Sequence, residues 1–269
     1  MGMTFDFSGQ TVFVAGGTSG INLGVAQAFA RAGARVAVLS RRQEKVDAAV
    51  EGLQGLGAEA AGFAADVRDY EAVEKALGAA HQRFGNFDVL VSGAAGNFPA
   101  KATGMSANAF KSVVEIDLLG TYHVLRAAHP LMKKPGGSIV NISAPQAFLP
   151  MNMQMHVCSA KAGVDMITRV GAMEWGREGL RVNSVVPGPI DDTEGMQRLA
   201  PTEAAREAVM DSVPMGRYGK ASEIADCCMW LASPAAAYVT GAVIPVDGGW
   251  SLGGAQAMGQ GFEQLAKPQ

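Results

Sequence analysis

At 269 residues, with 48% hydrophobic residues and 34 glycines, the chain is long enough to bury a sizeable core, and it reads as one compact domain over residues 1–269. Its net charge of -3 is spread without long runs of one sign, which argues against a nucleic-acid partner, and no apolar run reaches the roughly 18 residues of a membrane span. Cys158, Cys227 and Cys228 lack metal-ligand spacing and a plausible disulfide pattern, so no metal site is expected and a soluble, cytoplasmic protein without a targeting segment is the expectation.

In chain order, short apolar and β-branched runs alternate with helix-length stretches. Strands are predicted at Thr11–Ala15, Arg35–Leu39, Gly62–Ala64, Phe87–Val91, Ser138–Ile142, Arg181–Val186 and Ala242–Val246. Runs apolar on both faces and joined by helices indicate an α/β fold: a doubly wound, seven-stranded parallel sheet of the Rossmann type, with ligands at the carboxyl ends of the strands. Asp69 and Ser106 look like helix caps, a structural role. The longest stretch without a clear strand runs from Pro187 to Pro214, and a substrate lid is predicted over residues 189–214.

The first predicted strand leads directly into Gly16-Gly17-Thr18-Ser19-Gly20-Ile21-Asn22-Leu23-Gly24 and then an alanine-rich helix. Glycines let the backbone approach a pyrophosphate, and a helix start offers unpaired N–H groups at the positive end of its dipole. The order strand, turn, helix favours such a cradle over a simple turn. The second strand ends at Ser40-Arg41-Arg42, where a carboxylate would select the ribose hydroxyls of NADH. A neutral Ser40 followed by an arginine able to grip a phosphate with two hydrogen bonds favours NADPH instead.

These residues resemble the fingerprint of the short-chain dehydrogenase/reductase family, with Asn22 in place of its last glycine. The resemblance extends along nearly the whole chain, through Asp66-Val67, Ala94-Ala95-Gly96, Asn141-Ile142-Ser143, Pro187-Gly188-Pro189-Ile190 and Asp247-Gly248-Gly249. It implies a cofactor site built from Gly16, Thr18, Ser19, Gly20, Ile21, Ser40, Arg41, Arg42, Asp66, Val67, Ala94, Gly96, Lys161, Pro187, Gly188 and Ile190. It also implies a homo-oligomer, tetramer or dimer.

The catalytic positions depart from that family's pattern. Its tyrosine, four residues before Lys161, is Val157; its serine, thirteen residues before that tyrosine, is Ala144; its helix asparagine is Asp117. Neither valine nor alanine transfers a proton, and Tyr70, Tyr122, Tyr218 and Tyr238 all lie far from Lys161 in sequence. An Asp117–Lys161 pair that polarises a water is the alternative acid. His156 is a pocket-wall residue or a second candidate acid.

This departure, with Asn97-Phe98, His156 and Thr193-Glu194-Gly195, is similar to the peroxisomal-type 2,4-dienoyl-CoA reductases. That likeness implies NADPH-dependent reduction of a dienoyl-CoA to a 3-enoyl-CoA in unsaturated fatty acid breakdown, with Asn97, Phe98 and His156 toward the acyl-CoA substrate. Reduction of a conjugated thioester ends in protonation of carbon, which a positioned water can perform. The alternatives are reduction of another conjugated or carbonyl substrate, and a non-catalytic NADP-binding protein. The methionines between Phe148 and Met155 suit either a variable acyl chain or the core.

Overall fold

Valine, isoleucine, leucine and alanine fill the seven predicted strand runs, and in the computed structural model every one of them pairs in parallel. The structure describes residues 4–253 apart from 192, 194, 195, 198 and 199. The strands are β1 (Thr11–Ala15), β2 (Arg35–Ser40), β3 (Ala60–Ala64), β4 (Val89–Ser92), β5 (Ser138–Ile142), β6 (Arg181–Pro187) and β7 (Val243–Val246). Their order across the sheet is β3-β2-β1-β4-β5-β6-β7. β1 and β5 match the sequence expectation, while β4 begins later than expected because Phe87 makes only an isolated parallel bridge to Met132. Pro245, which has no N–H for a ladder, sits in the edge strand β7, where its loss is tolerated.

Eight α-helices flank the sheet among the described residues: α1 (Gly20–Arg31), α2 (Gln43–Gly55), α3 (Tyr70–Phe84), α4 (Ala107–Val113), α5 (Gly120–Ala128), α6 (Met155–Trp175), α7 (Glu203–Asp211) and α8 (Ala221–Ala232). Successive side chains of a strand point to opposite faces, and β1 shows the consequence. Val12 and Val14 enter one core with residues of α1, α2 and α8, whereas Phe13 and Ala15 enter a second with residues of α3, α5 and α6. Fully buried side chains such as Phe13, Phe29 and Leu90 each contribute about 1.5–3 kcal/mol by leaving water. Both predicted caps are formed: Asp69 accepts from the Ala72 N–H at 3.1 Å and Ser106 from the Ala109 N–H at 3.1 Å. Among the described residues no helix is long and apolar enough to cross a membrane.

Two features of this frame place the site. β1 pairs with β2 on one side and β4 on the other, so the chain's winding reverses between β1 and β4 and opens a crevice at their carboxyl ends. Between α4 and α5 the helix widens into a π turn, Val114–Leu119, which carries Asp117. Such an insertion re-aims the side chains that follow, and π turns occur often at functional sites.

Candidate active site

A cavity of about 660 Å³ runs along the carboxyl ends of the strands, and its walls include Gly16, Thr18, Ser19, Gly20 and Ile21 from the β1–α1 turn. Gly16 takes φ of 79°, and a Cβ there would come within 2.9 Å of the Ala94 backbone, so glycine is required both for the bend and for the close approach. Ser19 is the N-cap of α1 but makes no side-chain cap hydrogen bond. Gly20, Ile21 and Asn22 at the start of α1 line the cavity, so the positive end of the helix dipole stands beside it, a setting for an anion. Asn22, in the place of a third glycine, donates from Nδ2 to the Gly93 carbonyl at 2.6 Å and so ties α1 to the end of β4.

At the far end of the cavity stand Ser40, Arg41 and Arg42, joined by Lys45 from the first turn of α2. Asp66 and Val67 follow β3; Arg68 grips both oxygens of Asp66, Nε at 3.0 Å and Nη2 at 2.6 Å, and this pairing holds the Asp66 carboxyl below its ordinary range. Val67 is fixed from behind: its carbonyl contacts His123 Nδ1 at 2.8 Å, and Gly120 packs so closely that a Cβ would come within 2.7 Å of Val67 Cγ2. Ala94 and Gly96 after β4, and Pro187, Gly188 and Ile190 after β6, complete this wall.

The inner end of the cavity holds two buried charges. Asp117 is 1% exposed, accepts the Gly96 N–H on Oδ1 at 2.7 Å, and presents Oδ2 to Lys161 Nζ at 3.5 Å. Lys161, from α6, also donates to the Ile142 carbonyl at 3.0 Å. Burial raises the Asp117 pKa, and the Lys161 charge and the Gly96 N–H oppose that rise. Val157 and Ala144 line the same space and bring no titratable group to it. Asn97 and Phe98 line it as well.

His156 does not. It is fully buried and packs its ring against Phe98 at a centroid distance of 4.5 Å, outside the cavity wall. Burial lowers its pKa, so its neutral form is favoured. It lies at the second position of α6, one residue before the lining Val157, where the nearby Asp117 charge partly opposes the effect of its burial.

The family described as Enoyl-(Acyl carrier protein) reductase matches residues 15–251. The peroxisomal 2,4-dienoyl-CoA reductase [(3E)-enoyl-CoA-producing] of Danio rerio is 42% identical over 244 residues, covering 90% of this chain and 81% of that protein. The Arabidopsis thaliana protein of the same name is 39% identical over 251 residues, 90% and 84% of the two chains. A solved short chain dehydrogenase from Bacillus anthracis superposes with a TM-score of 0.83 at 35% identity, over 90% of this chain and 96% of that one. The chain belongs to the short-chain dehydrogenase/reductase family.

Within a short-chain dehydrogenase/reductase the sequence pattern leads to the glycine turn and to Asp117 and Lys161, but other lining residues carry no local signal. Lys45, Gln146, Met151, Met196, Val209 and Trp250 reach the cavity from separate elements. Trp250 Nε1 donates to Ser212 Oγ at 3.0 Å, which ties the end of α7 to the segment after β7. Of the stretch read as a lid, Pro189, Ile190, Thr193, Met196 and Val209 line the cavity, while Asp192, Glu194 and Gly195 lie outside the described residues.

Proposed function

We propose that this protein reduces 2,4-dienoyl-CoA thioesters to 3-enoyl-CoA with NADPH, using a water held by Asp117 and Lys161 in place of a tyrosine. The observation that carries the reading is the buried carboxylate–ammonium pair, 3.5 Å apart, facing a cavity where Val157 and Ala144 stand at the tyrosine and serine positions.

The residues present fit the cofactor. The Gly16–Ile21 turn, where a Cβ on Gly16 would close the approach, would hold the pyrophosphate, with Ala94, Gly96, Pro187, Gly188 and Ile190 along the remaining wall. Asp66 and Val67 would bound the adenine. Ser40, Arg41 and Arg42 would take the 2′-phosphate, since the arginines attract the anion that a carboxylate there would repel. Lys161 would also hydrogen-bond the nicotinamide ribose. NADPH, when bound, supplies a hydride to C5 of the dienoyl group.

The chain's own residues have three tasks. Asn97 and Phe98 orient the conjugated thioester, with an Asn97 amide N–H toward the thioester oxygen where negative charge develops. Asp117 Oδ2 and Lys161 Nζ hold a water between an acceptor and a cationic donor, and that water gives its proton to the α-carbon. Residues 189–214 act as a lid that excludes bulk solvent during the step. Ketone reduction, by contrast, creates an alkoxide that calls for a strong local donor, and the residues lining this end include no phenol.

The three cysteines are free and suit a reducing compartment, which fits a cytoplasmic protein. A homo-oligomer, tetramer or dimer, fits the exposed Met166, Val170 and Met173 of α6 beside the exposed Leu119 and Tyr122. The decisive test is a spectrophotometric assay of the purified protein with NADPH. Oxidation of NADPH with a 2,4-dienoyl-CoA, yielding 3-enoyl-CoA, and none with a 3-ketoacyl-CoA is the expected result. The reverse preference, or NADPH binding without turnover across acyl-CoAs, overturns the reading.

A further inference from the structure

β2 and β3 leave the sheet side by side. Ser40 pairs with Ala64, and the Ala65 N–H donates to the Ser40 carbonyl at 3.0 Å, so Arg41 and Asp66 are the residues that follow the last rung of one ladder. Both line the cavity. The acids in its wall are Asp66 and Asp117, and Asp117 belongs to the inner end with Lys161, so Asp66 is the wall's carboxylate beside Ser40 and Arg41. Adjacent strands run about 4.8 Å apart, within the roughly 8 Å over which charges act at physiological salt.

That placement sets up a conflict. A carboxylate near the end of β2 repels a 2′-phosphate and competes for the arginine that would bind it. Arg42 is engaged by Glu44, Nε to Oε1 at 3.5 Å, whereas Arg41 forms no ion pair among the described residues. Asp66 is occupied elsewhere: Arg68 donates its backbone N–H and Nε to Oδ1, both at 3.0 Å, and Nη2 to Oδ2 at 2.6 Å. Those bonds use most of the roughly four acceptor positions of a carboxylate and leave room for one adenine N–H. Arg68 itself is exposed and is not part of the cavity wall.

We infer that Arg68 is a positioning residue for the choice of cofactor: by gripping Asp66 from outside the cavity it masks that carboxylate and leaves Arg41 to the 2′-phosphate. This rests on the NADPH reading of Ser40, Arg41 and Arg42. The fork of the guanidinium matters as well as its charge, because two parallel N–H bonds fix the plane of the carboxylate where a point charge would not. Selectivity for the phosphate is thus shared between Arg41, which lines the site, and Arg68, which acts through Asp66.

The test is a fluorescence titration of NADPH and of NADH against the native protein, Arg68→Met, Arg68→Lys and the double variant Arg68→Met with Asp66→Asn. Both cofactors carry the adenine, so damage to that contact cancels in the ratio of the two affinities, and the ratio reports the 2′-phosphate. Arg68→Met should cut the preference for NADPH about five- to tenfold and leave NADH within about twofold. Arg68→Lys keeps a cation and should retain most of the preference. Removing the Asp66 charge as well should restore the native ratio, even where both cofactors bind less tightly. In about 0.5 M salt the loss in Arg68→Met should shrink, because repulsion between carboxylate and phosphate is screened.

Equal losses of NADPH and NADH in Arg68→Met overturn the inference, since the residue then serves only the shape of the adenine wall. A lost preference that the added Asp66→Asn does not restore, or that salt does not change, overturns it too, because masking of a charge is then not the cause. Should Arg68→Met not fold, Arg68→Glu read against Arg68→Lys carries the test, and equal ratios in those two overturn the inference. Equal losses of both cofactors in Arg41→Ala instead remove the phosphate assignment itself. A selective Arg41→Ala beside an unselective Arg68→Met removes this inference alone.

Discussion

Val157 occupies the place from which a phenol would serve an alkoxide, and the proton has to come from elsewhere in the same cavity. Asp117 and Lys161 are the buried ionisable pair in reach, and each constrains the other. Asp117→Asn keeps the shape but removes the acceptor charge, so kcat should fall by about two to four orders of magnitude while NADPH affinity, measured by fluorescence titration, stays close to native. Because burial raises the Asp117 pKa and the charged form is the useful one, native activity should fall as pH drops through a value above the ordinary carboxylate range. That acid limb should be missing from the residual activity of Asp117→Asn. Arg41 bears on the cofactor alone. Arg41→Ala should weaken NADPH by about ten- to a hundredfold, the size of a charge-assisted hydrogen bond, and leave NADH nearly unchanged; equal losses would remove the 2′-phosphate assignment.

Elements rather than single residues decide how the cavity holds its shape, and the contact between α1 and β4 is a case. Asn22 fills the space over Gly93, so a side chain on Gly93 would collide with the Asn22 amide. Gly93→Ala should destabilise the fold by about 1–3 kcal/mol, read as a lower Tm. Adding Asn22→Ala should recover part of the loss, and strict additivity of the two changes would show that the contact is not strained. The same elements show what was legible in the sequence. Every strand was readable, because a parallel strand buried on both faces must be an unbroken apolar run. The start of β4 was not, because Phe87 is apolar like a strand residue, yet the next residue, Asp88, turns its carboxylate to the Thr11 N–H and to Lys133. The π turn at Val114–Leu119 left no trace in composition, although it carries Asp117. In the site, the glycine turn and the Asp117–Lys161 pair carry local patterns. Lys45, Met151 and Trp250 meet only through the folded chain, and His156 packs on Phe98 rather than lining the wall itself.

On the scale of the whole molecule, α6 is a lever with two loaded faces. Its inner side carries Lys161, Asp165 and Thr168 against the sheet, all buried. Its outer side exposes Met166, Val170 and Met173, the last 83% exposed, and α5 with the preceding π turn adds Leu119 and Tyr122. Residues 166, 170 and 173 repeat at helical spacing, so they form one apolar stripe, and a stripe of this kind beside two further exposed apolar side chains is the usual mark of an interface. A second copy of the chain is the partner that fits a homo-oligomer. Met173→Glu places a charge at the most exposed end of that stripe, where desolvating it against another apolar face costs several kcal/mol. Light scattering should then report a smaller species than the native protein at the same concentration. Loss of the partner's support should also loosen α6, lowering kcat through Lys161 while the isolated chain keeps its fold. If the mass is unchanged, the outer face of α6 is not the contact; if the mass drops with kcat intact, the inner and outer faces of the helix are not coupled.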